Sequence, residues 1–155
     1  MTGAPRMLLV PVDGSKGAGR AAQLAATLAE GLNIPLRLVF AFPRDPVEMF
    51  GIPTETPRPE ELKYFSPEAF GQLRDRSAEK AFKAAREAMG ETAAEVEQEV
   101  VSGDAAEAII RHAEAVSDPM IVIGSRGLSS FKELLLGSVS QRVLHHAHCP
   151  VTVVR

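Results

Sequence analysis

Apolar residues in this chain form short runs, separated by longer segments in which apolar residues recur every three or four positions. The short runs predict parallel strands buried on both faces, and the longer segments predict amphipathic helices. The predicted strands are residues 7–12, 36–42, 95–101, 120–123 and 151–154. Because strands that alternate with helices favour right-handed crossovers, we expect one α/β domain over residues 1–155. Its sheet should be doubly wound, open, five-stranded and parallel, with helices on both faces.

The third and fifth predicted strands have features of sheet edges. Glu95, Glu97 and Glu99 alternate along the third strand and therefore share one face, and such a row of carboxylates suits an edge. Residues 151–154 are mostly β-branched and uncharged, and an unprotected edge of that kind tends to pair with another chain. We therefore expect a two-fold homodimer through residues 151–154.

Capping residues mark the predicted helix ends. Ser15 is the expected N-cap of the first helix, Ser66 with Pro67 begins another that ends before Gly90, and Asp104 begins a third. The expected buried face of the first helix comprises Ala21, Leu24, Ala25, Leu28 and Leu32.

Two segments do not fit the strand–helix pattern. Residues 1–5 are expected to be a loose tail. The stretch from Pro43 to Pro67 contains six of the eleven prolines, so a regular helix is not expected there. We predict a long proline-rich loop over residues 43–66. Loops of this length are usually lids, binding surfaces or disordered segments, and a variable excursion without a catalytic role is the favoured interpretation.

The most informative motif follows the fourth predicted strand. Gly124-Ser125-Arg126-Gly127 is followed, nine residues later, by Gly137-Ser138. A glycine loop between a strand and a helix exposes backbone N–H groups, and the first turn of the helix leaves its own N–H groups unpaired, so phosphate is the expected ligand. Ser138, with Gln141 three residues later, is the predicted N-cap of the last helix.

These residues resemble the motif of the universal stress protein family, whose nucleotide-binding members carry glycine, two residues, glycine, nine residues and then Gly-Ser or Gly-Thr. Residues 8–15 also resemble the family's opening strand and turn, and residues 149–155 its closing strand. The resemblance implies the strand order 3-2-1-4-5 and a homodimer through the last strand. In that order the first and fourth strands are neighbours at the switch point, where open α/β sheets bind ligands.

The resemblance also implies a nucleotide site for ATP, with ADP and AMP as alternatives and with Mg²⁺ accompanying the phosphates. Asp13, which ends the first strand, is expected to contact the adenosine part. The residues implied around the base are Pro11, Val12 and Ala41. Those implied along the ribose and phosphates are Ile123, Gly124, Gly127, Gly137, Ser138, Val139 and Ser140.

Charge is positive near the motif although the chain as a whole is acidic. Residues 125–142 contain Arg126, Lys132 and Arg142 against Glu133 alone, and Arg126 is also one of the candidate site residues. The net charge of −3 argues against a nucleic-acid partner recognised through a broad basic face. Any anion site should therefore be local.

Composition also bears on compartment. No apolar run approaches the length that spans a bilayer, and the N-terminus lacks a secretory apolar segment, so we expect no membrane association. The single cysteine is compatible with a reducing compartment. We expect a cytoplasmic protein.

Two other kinds of site find weaker support. His145, His146, His148 and Cys149 have helical metal-ligand spacing, but histidines also suit the negative end of a helix and a cysteine entering a strand is usually core. Residues 14–19 lack both the ending of a P-loop and the glycine order of the dinucleotide fingerprint, so a nicotinamide dehydrogenase is not expected.

Catalytic residues are not recognisable, because no serine, histidine and acid form a known nucleophile arrangement. The leading hypothesis is an ATP-binding stress protein that acts as a nucleotide-dependent regulatory module. A slow ATP hydrolase or autokinase, assisted by Arg126 or Ser138, is one alternative. A ligand-free interaction protein is the other.

Overall fold

A computed structural model describes residues 3–51, 58–127 and 136–155 of the chain. The strands in these residues are β1 (Met7–Pro11), β2 (Leu36–Phe42), β3 (Val96–Ser102), β4 (Pro119–Gly124) and β5 (Val151–Val154). The helices are α1 (Lys16–Leu32), α2 (Pro46–Phe50), α3 (Pro59–Leu62), α4 (Pro67–Met89), α5 (Ala105–Glu114) and α6 (Ser138–His146), with a 3₁₀ turn at Lys63–Phe65.

The strands form one parallel sheet in the order β3-β2-β1-β4-β5. The fold class and the strand order are therefore as predicted, and β3 lies at an edge as its glutamate row indicated. The central strand β1 pairs with both of its neighbours, with Leu8 opposite Leu36 of β2 and Met120 of β4. The carboxyl ends of β1 and β4 consequently lie side by side.

Two apolar layers hold the helices against the sheet, one on each face. On one face, α1 and α4 cover buried residues of the three central strands that include Leu8, Leu38 and Val122. On the other face, α5 and α6 cover Leu9 and Ile121. Successive strand residues point to opposite faces, so a strand covered on both sides requires the unbroken apolar runs seen in the sequence.

The buried face of α1 differs from the prediction. Leu24 and Leu32 are 36% and 46% exposed, and alanines form the buried surface. The buried residues of α1 are Gly17, Ala18, Gly19, Ala21, Ala22, Ala25, Ala26 and Ala29. The reason is close packing on two sides: α1 packs against both the sheet and its neighbouring helix α4, and a Cβ built on Gly19 would lie 3.0 Å from the Cβ of Ala88. Small residues permit this approach, which turns the larger leucines outwards.

Helix starts follow the predicted caps in three cases. The side chain of Ser15 accepts a hydrogen bond from the Ala18 N–H, and Ser66 and Asp104 cap α4 and α5 in the same way. Pro67 occupies the first helical position and Gly90 ends α4, both as expected. In the described part of the chain, none of the helices is long and apolar enough to cross a membrane.

The predicted loop over residues 43–66 contains short helices, so the expectation of no regular helix was wrong. Pro46 and Pro59 each stand near a helix start, where a missing N–H costs nothing, and Asp45 caps α2 by accepting from the Glu48 N–H at 2.8 Å. The ring of Phe50 stacks at about 6 Å on the rings of Tyr64 and Phe65. Residues 52–57, and residues 1–2 of the expected tail, lie outside the described residues.

Candidate functional site

A pocket of about 400 Å³ opens at the carboxyl ends of β1 and β4, between the first turns of α1, α5 and α6. The structure brings every residue predicted for the site to its wall. These residues are Pro11, Val12, Asp13, Ala41, Ile123, Gly124, Arg126, Gly127, Gly137, Ser138, Val139 and Ser140. Asp13 and Ser138, which are far apart in the sequence, therefore face one cavity.

Asp13 lies directly against Gly127. A Cβ built on Gly127 would stand 2.6 Å from Oδ2 of Asp13, well inside contact distance. The other carboxylate oxygen, Oδ1, accepts a hydrogen bond from the Ser15 N–H at 2.9 Å. Asp13 thus stabilises the turn into α1 through Oδ1 and also forms part of the pocket wall.

Gly17 and Gly124 allow α1 to touch the end of β4. A Cβ on Gly124 would lie 2.7 Å from the Gly17 carbonyl oxygen, and a Cβ on Gly17 would lie 2.5 Å from the Arg126 carbonyl oxygen. The absence of both Cβ atoms lets the first turn of α1 reach the glycine loop, which places Ser15 and Ala18 in the pocket wall.

The start of α6 is one residue earlier than predicted. Gly137 is the N-cap, and Ser138 is the first helical residue with no side-chain capping bond, so the capping box on Ser138 was wrong. The reason is a pair of backbone hydrogen bonds: Gly137 donates to the Ser125 carbonyl at 2.6 Å and accepts from the Gln141 N–H at 2.9 Å. Ser138 is consequently exposed, and its hydroxyl is not used by the cap.

Ser140 has a structural role inside the same turn. Its side chain is buried, and its hydroxyl donates to the Gly124 carbonyl oxygen at 2.6 Å. This bond ties the first turn of α6 to the end of β4. Because the helical hydrogen bonds of α6 begin at the Gln141 N–H, the three preceding N–H groups have no acceptor within the helix.

Three helix N-termini meet at the pocket. Ser15 precedes α1, Ala105 begins α5 and Ser138 begins α6, and all three residues line the cavity. Each helix N-terminus carries a partial positive charge from its aligned peptide dipoles. The arrangement favours a ligand with negative charge near these turns.

The remaining wall of the pocket is apolar. Val39 and Ala41 of β2 and Ile109 of α5 form it together with Ile123 of β4. A flat, weakly polar group such as a nucleobase suits this surface, and an anionic group suits the helix starts. The pocket therefore has two chemically distinct ends.

Five lining residues were missed from the sequence: Ser15, Ala18, Val39, Ala105 and Ile109. A signal existed for two of them. Ser15 follows Asp13 in the same turn, and Val39 lies two positions before Ala41 on the same face of a strand. The other three are set by how α1 and α5 pack on the sheet, which local pattern does not show.

The positive charge expected around the motif is partly neutralised by an ion pair. Arg142 Nη1 lies 2.9 and 3.1 Å from the two carboxylate oxygens of Asp104, and Glu107 is 3.9 Å away. The hydrogen bond from Arg142 is the main cause that lowers the pKa of Asp104, and the same bond raises the pKa of Arg142. Lys132 and Glu133 lie outside the described residues.

The histidine-rich end of α6 shows little sign of metal chemistry in the residues the structure covers. No three histidine, cysteine or acidic side chains gather there, or elsewhere in residues 3–51, 58–127 and 136–155, in a metal-binding group. Cys149 packs against the apolar layer beneath α5 and α6, and burial raises the pKa of its thiol.

Sequence comparison assigns the family. The sequence model of the universal stress protein family matches residues 6–155. The chain belongs to the universal stress protein family. One relative, the "universal stress protein in QAH/OAS sulfhydrylase 3'region" of Thermus aquaticus, is 34% identical over 151 residues, which cover 97% of this chain and 98% of that protein.

Solved universal stress proteins share the fold. The universal stress protein UspA from Lactobacillus plantarum superposes with a TM-score of 0.74 at 23% identity, with 99% of each chain covered. A universal stress protein in complex with cAMP gives a TM-score of 0.64 at 24% identity over 99% of this chain and 98% of that one. The Archaeoglobus fulgidus protein in complex with dAMP gives 0.55 at 20% identity with full coverage of both chains.

Proposed function

We propose that this universal stress protein binds ATP in the pocket between β1, β4, α5 and α6, and that it acts as a nucleotide-dependent regulatory module rather than as a rapid enzyme. One observation carries the proposal. A single cavity of about 400 Å³ combines an apolar wall with three helix N-termini and the glycine loop. A base at the apolar end and phosphates at the helix starts would use both ends.

Proteins of the same fold support a nucleotide as the ligand class, since one is described in complex with cAMP and another with dAMP. ATP is the specific ligand we propose, and ADP and AMP are the alternatives. Asp13 and the eleven other residues predicted for the site are the proposed contacts, and the Ser140 hydroxyl among them already donates to the Gly124 carbonyl oxygen.

Mg²⁺ would accompany the phosphates. The Asp13 carboxylate and the Ser15 and Ser138 hydroxyls line one pocket, and oxygen groups of this kind fit the ion. The described residues contain no cluster of three or more acidic, histidine or cysteine side chains for a metal. The phosphates and water would therefore supply most of the coordination.

The proposal extends to assembly and compartment. We propose a homodimer through β5, whose position at a sheet edge leaves one side without a partner strand in the described chain. We place the protein in the cytoplasm because its single cysteine suits a reducing compartment.

A direct test is calorimetric titration of the purified protein with ATP and Mg²⁺, together with identification of any nucleotide released by mild denaturation. We expect heat of binding with a micromolar dissociation constant, or a co-purified adenine nucleotide. Absence of both would overturn the ligand assignment and favour a ligand-free interaction protein.

A slow ATP hydrolase is the second candidate, because the Ser138 hydroxyl and Arg126 both face the proposed phosphate end. Release of phosphate from saturating ATP that is lost in Ser138→Ala, with the fold retained, would support this candidate. Turnover that is absent, or that is unchanged in the variant, would exclude a role for Ser138 in hydrolysis.

A further inference from the structure

The ion pair between Asp104 and Arg142 connects α5 and α6, two neighbouring helices whose first turns both line the pocket. We propose that this pair holds the first turn of α6 at its working distance from α5, and thereby positions the end of the pocket that takes the phosphates. The inference rests on the proposed nucleotide function. It assigns both residues a positioning role that their sequence context does not reveal.

The ion pair joins the N-cap residue of α5 to a residue in α6. Asp104 precedes α5, and its Oδ2 accepts the capping hydrogen bond from the Glu107 N–H at 3.2 Å. The same carboxylate receives Arg142 Nη1 at 2.9 and 3.1 Å. Arg142 stands four residues after Ser138, hence one helical turn beyond the pocket-lining start of α6.

The first turn of α6 is held from two sides. On the inner side, the Ser140 hydroxyl donates to the Gly124 carbonyl oxygen of β4. On the outer side, Arg142 is bonded to Asp104. The helix is also anchored by the buried Val143 and by the backbone bond from the Gly137 N–H to Ser125. The bond from Arg142 adds a side-chain link to α5, and this link fixes the distance between the two helix starts.

The exposure of the pair argues that its effect is on position more than on global stability. The side chains of Asp104 and Arg142 are each 45% exposed, and ion pairs of such exposure contribute little to the free energy of unfolding. Since Arg142 lies on Asp104 and outside the pocket wall, it acts through α6 and does not serve as a phosphate ligand.

The test uses Asp104→Asn and Arg142→Met, singly and together. Asparagine caps helices as well as aspartate, so Asp104→Asn removes the charge of the pair while it keeps the start of α5. The double replacement Lys83→Met with Glu87→Gln on α4 is the matched control. It removes an exposed ion pair in which Lys83 Nζ and Glu87 Oε1 are 4.0 Å apart, and neither residue lines the pocket.

The first readout is amide hydrogen exchange of the protein without nucleotide. We expect exchange at the Gln141 N–H, which closes the first turn of α6, to accelerate about fivefold in both single variants, and the control to match the wild type. Unchanged exchange in both single variants would overturn the inference whatever the protein binds.

The second readout is affinity for ATP and for adenosine. We expect the ATP dissociation constant to rise about threefold in either single variant, in keeping with the small energy of an exposed ion pair, with no further rise in the double variant because both changes weaken one contact. Adenosine affinity should stay as in the wild type, since the proposed base contacts Pro11, Val12 and Ala41 belong to the ends of β1 and β2 and not to α6. An unchanged ATP dissociation constant in both variants would overturn the positioning role.

Failure of the nucleotide function itself is detected separately, as absence of ATP binding by the wild-type protein. The hydrogen-exchange data then decide whether the ion pair holds α6.

Discussion

At the residue scale, the glycines of the motif have separate structural duties. Gly124 and Gly17 allow backbone contact between α1 and β4, whereas Gly127 leaves room for the Asp13 carboxylate. Gly137 caps α6 through its backbone. The glycine spacing therefore follows from two close approaches and one backbone cap, and Gly124, Gly127 and Gly137 all line the pocket.

Gly127→Ala should weaken ATP binding with a small loss of stability. The added Cβ would lie 2.6 Å from Asp13 Oδ2, so the carboxylate must move away from its place in the pocket wall. We expect the ATP dissociation constant to rise about tenfold, and the free energy of unfolding to fall by about 1 kcal/mol. Calorimetry and urea denaturation measure the two effects.

Gly31→Ala is the matched control. Gly31 lies in α1, and no atom stands within 4 Å of the position its Cβ would take. Alanine should stabilise the helix by about 0.5–1 kcal/mol and leave ATP affinity unchanged. Equal ATP affinities in Gly127→Ala and Gly31→Ala would contradict the role given to the Asp13 contact.

At the scale of elements, α5 supplies pocket residues and a contact to the sheet that the sequence pattern did not reveal. Its first turns carry Ala105 and Ile109 of the pocket, and its C-terminal half carries His112, whose Nε2 lies 3.1 Å from Nη1 of Arg37 on β2. Arginine can only donate, so His112 Nε2 accepts and the neutral ring carries its proton on Nδ1. Arg37 also bonds Glu97 of β3 at 2.8 Å, which links α5 to the sheet edge.

The His112 contact predicts a stability that rises with pH. Burial, and next the charge of Arg37, lower the pKa of His112, and Glu99 opposes them. The unfolded chain binds the proton near the ordinary pKa of about 6.5, whereas the folded protein binds it only at lower pH, so the unfolded state holds more protons between the two values. The free energy of unfolding should therefore increase as pH rises through this window, and level off above about pH 7.

Urea midpoints measured at several pH values from about 5 to 8 give the test. In His112→Gln, the amide oxygen can still accept from Arg37 but the side chain does not titrate, so the slope below about pH 7 should be smaller than in the wild type. His145→Gln, at an exposed position of α6, controls for loss of a histidine. An identical slope in His112→Gln and the wild type would exclude His112 as its source.

At the scale of the whole molecule, the two sheet edges have different character. The edge strand β3 carries three glutamates in or beside it and Arg37 pairs with one of them, whereas residues 151–154 of β5 carry no charge. Charged side chains discourage pairing at an edge, and their absence permits it. We therefore propose β5, and not β3, as the interface of the homodimer.

Thr152→Lys should convert the protein to a monomer. The substitution places a charge within β5, where a partner strand would have to bury it, while Thr152 itself makes only a weak 3.6 Å contact with Met120 Sδ. Thr27→Lys, on an exposed position of α1, is the matched control and should leave the dimer intact. Light scattering at micromolar concentration measures the mass, and a monomeric wild type would contradict the proposal.

The sequence alone determined the strands, most helix starts and twelve of the residues that line the pocket, because each depends on local periodicity, on capping chemistry or on a motif that resembles the family. Apolar runs identify strands covered on both faces. Ser15, Ser66 and Asp104 identify helix starts, because each caps an N–H only three residues later in the chain.

The tertiary structure alone decided the contacts between segments that are distant in the chain. The bond from the Gly137 N–H to Ser125 moved the cap of α6 by one residue, and packing between the sheet and α4 selected alanines over leucines for the buried face of α1. The pairing of Asp104 with Arg142 likewise requires α5 and α6 to lie side by side. Local pattern reports which residues prefer burial or a cap, but the identity of the neighbouring segment, and how closely it approaches, follows from the packing of the whole chain.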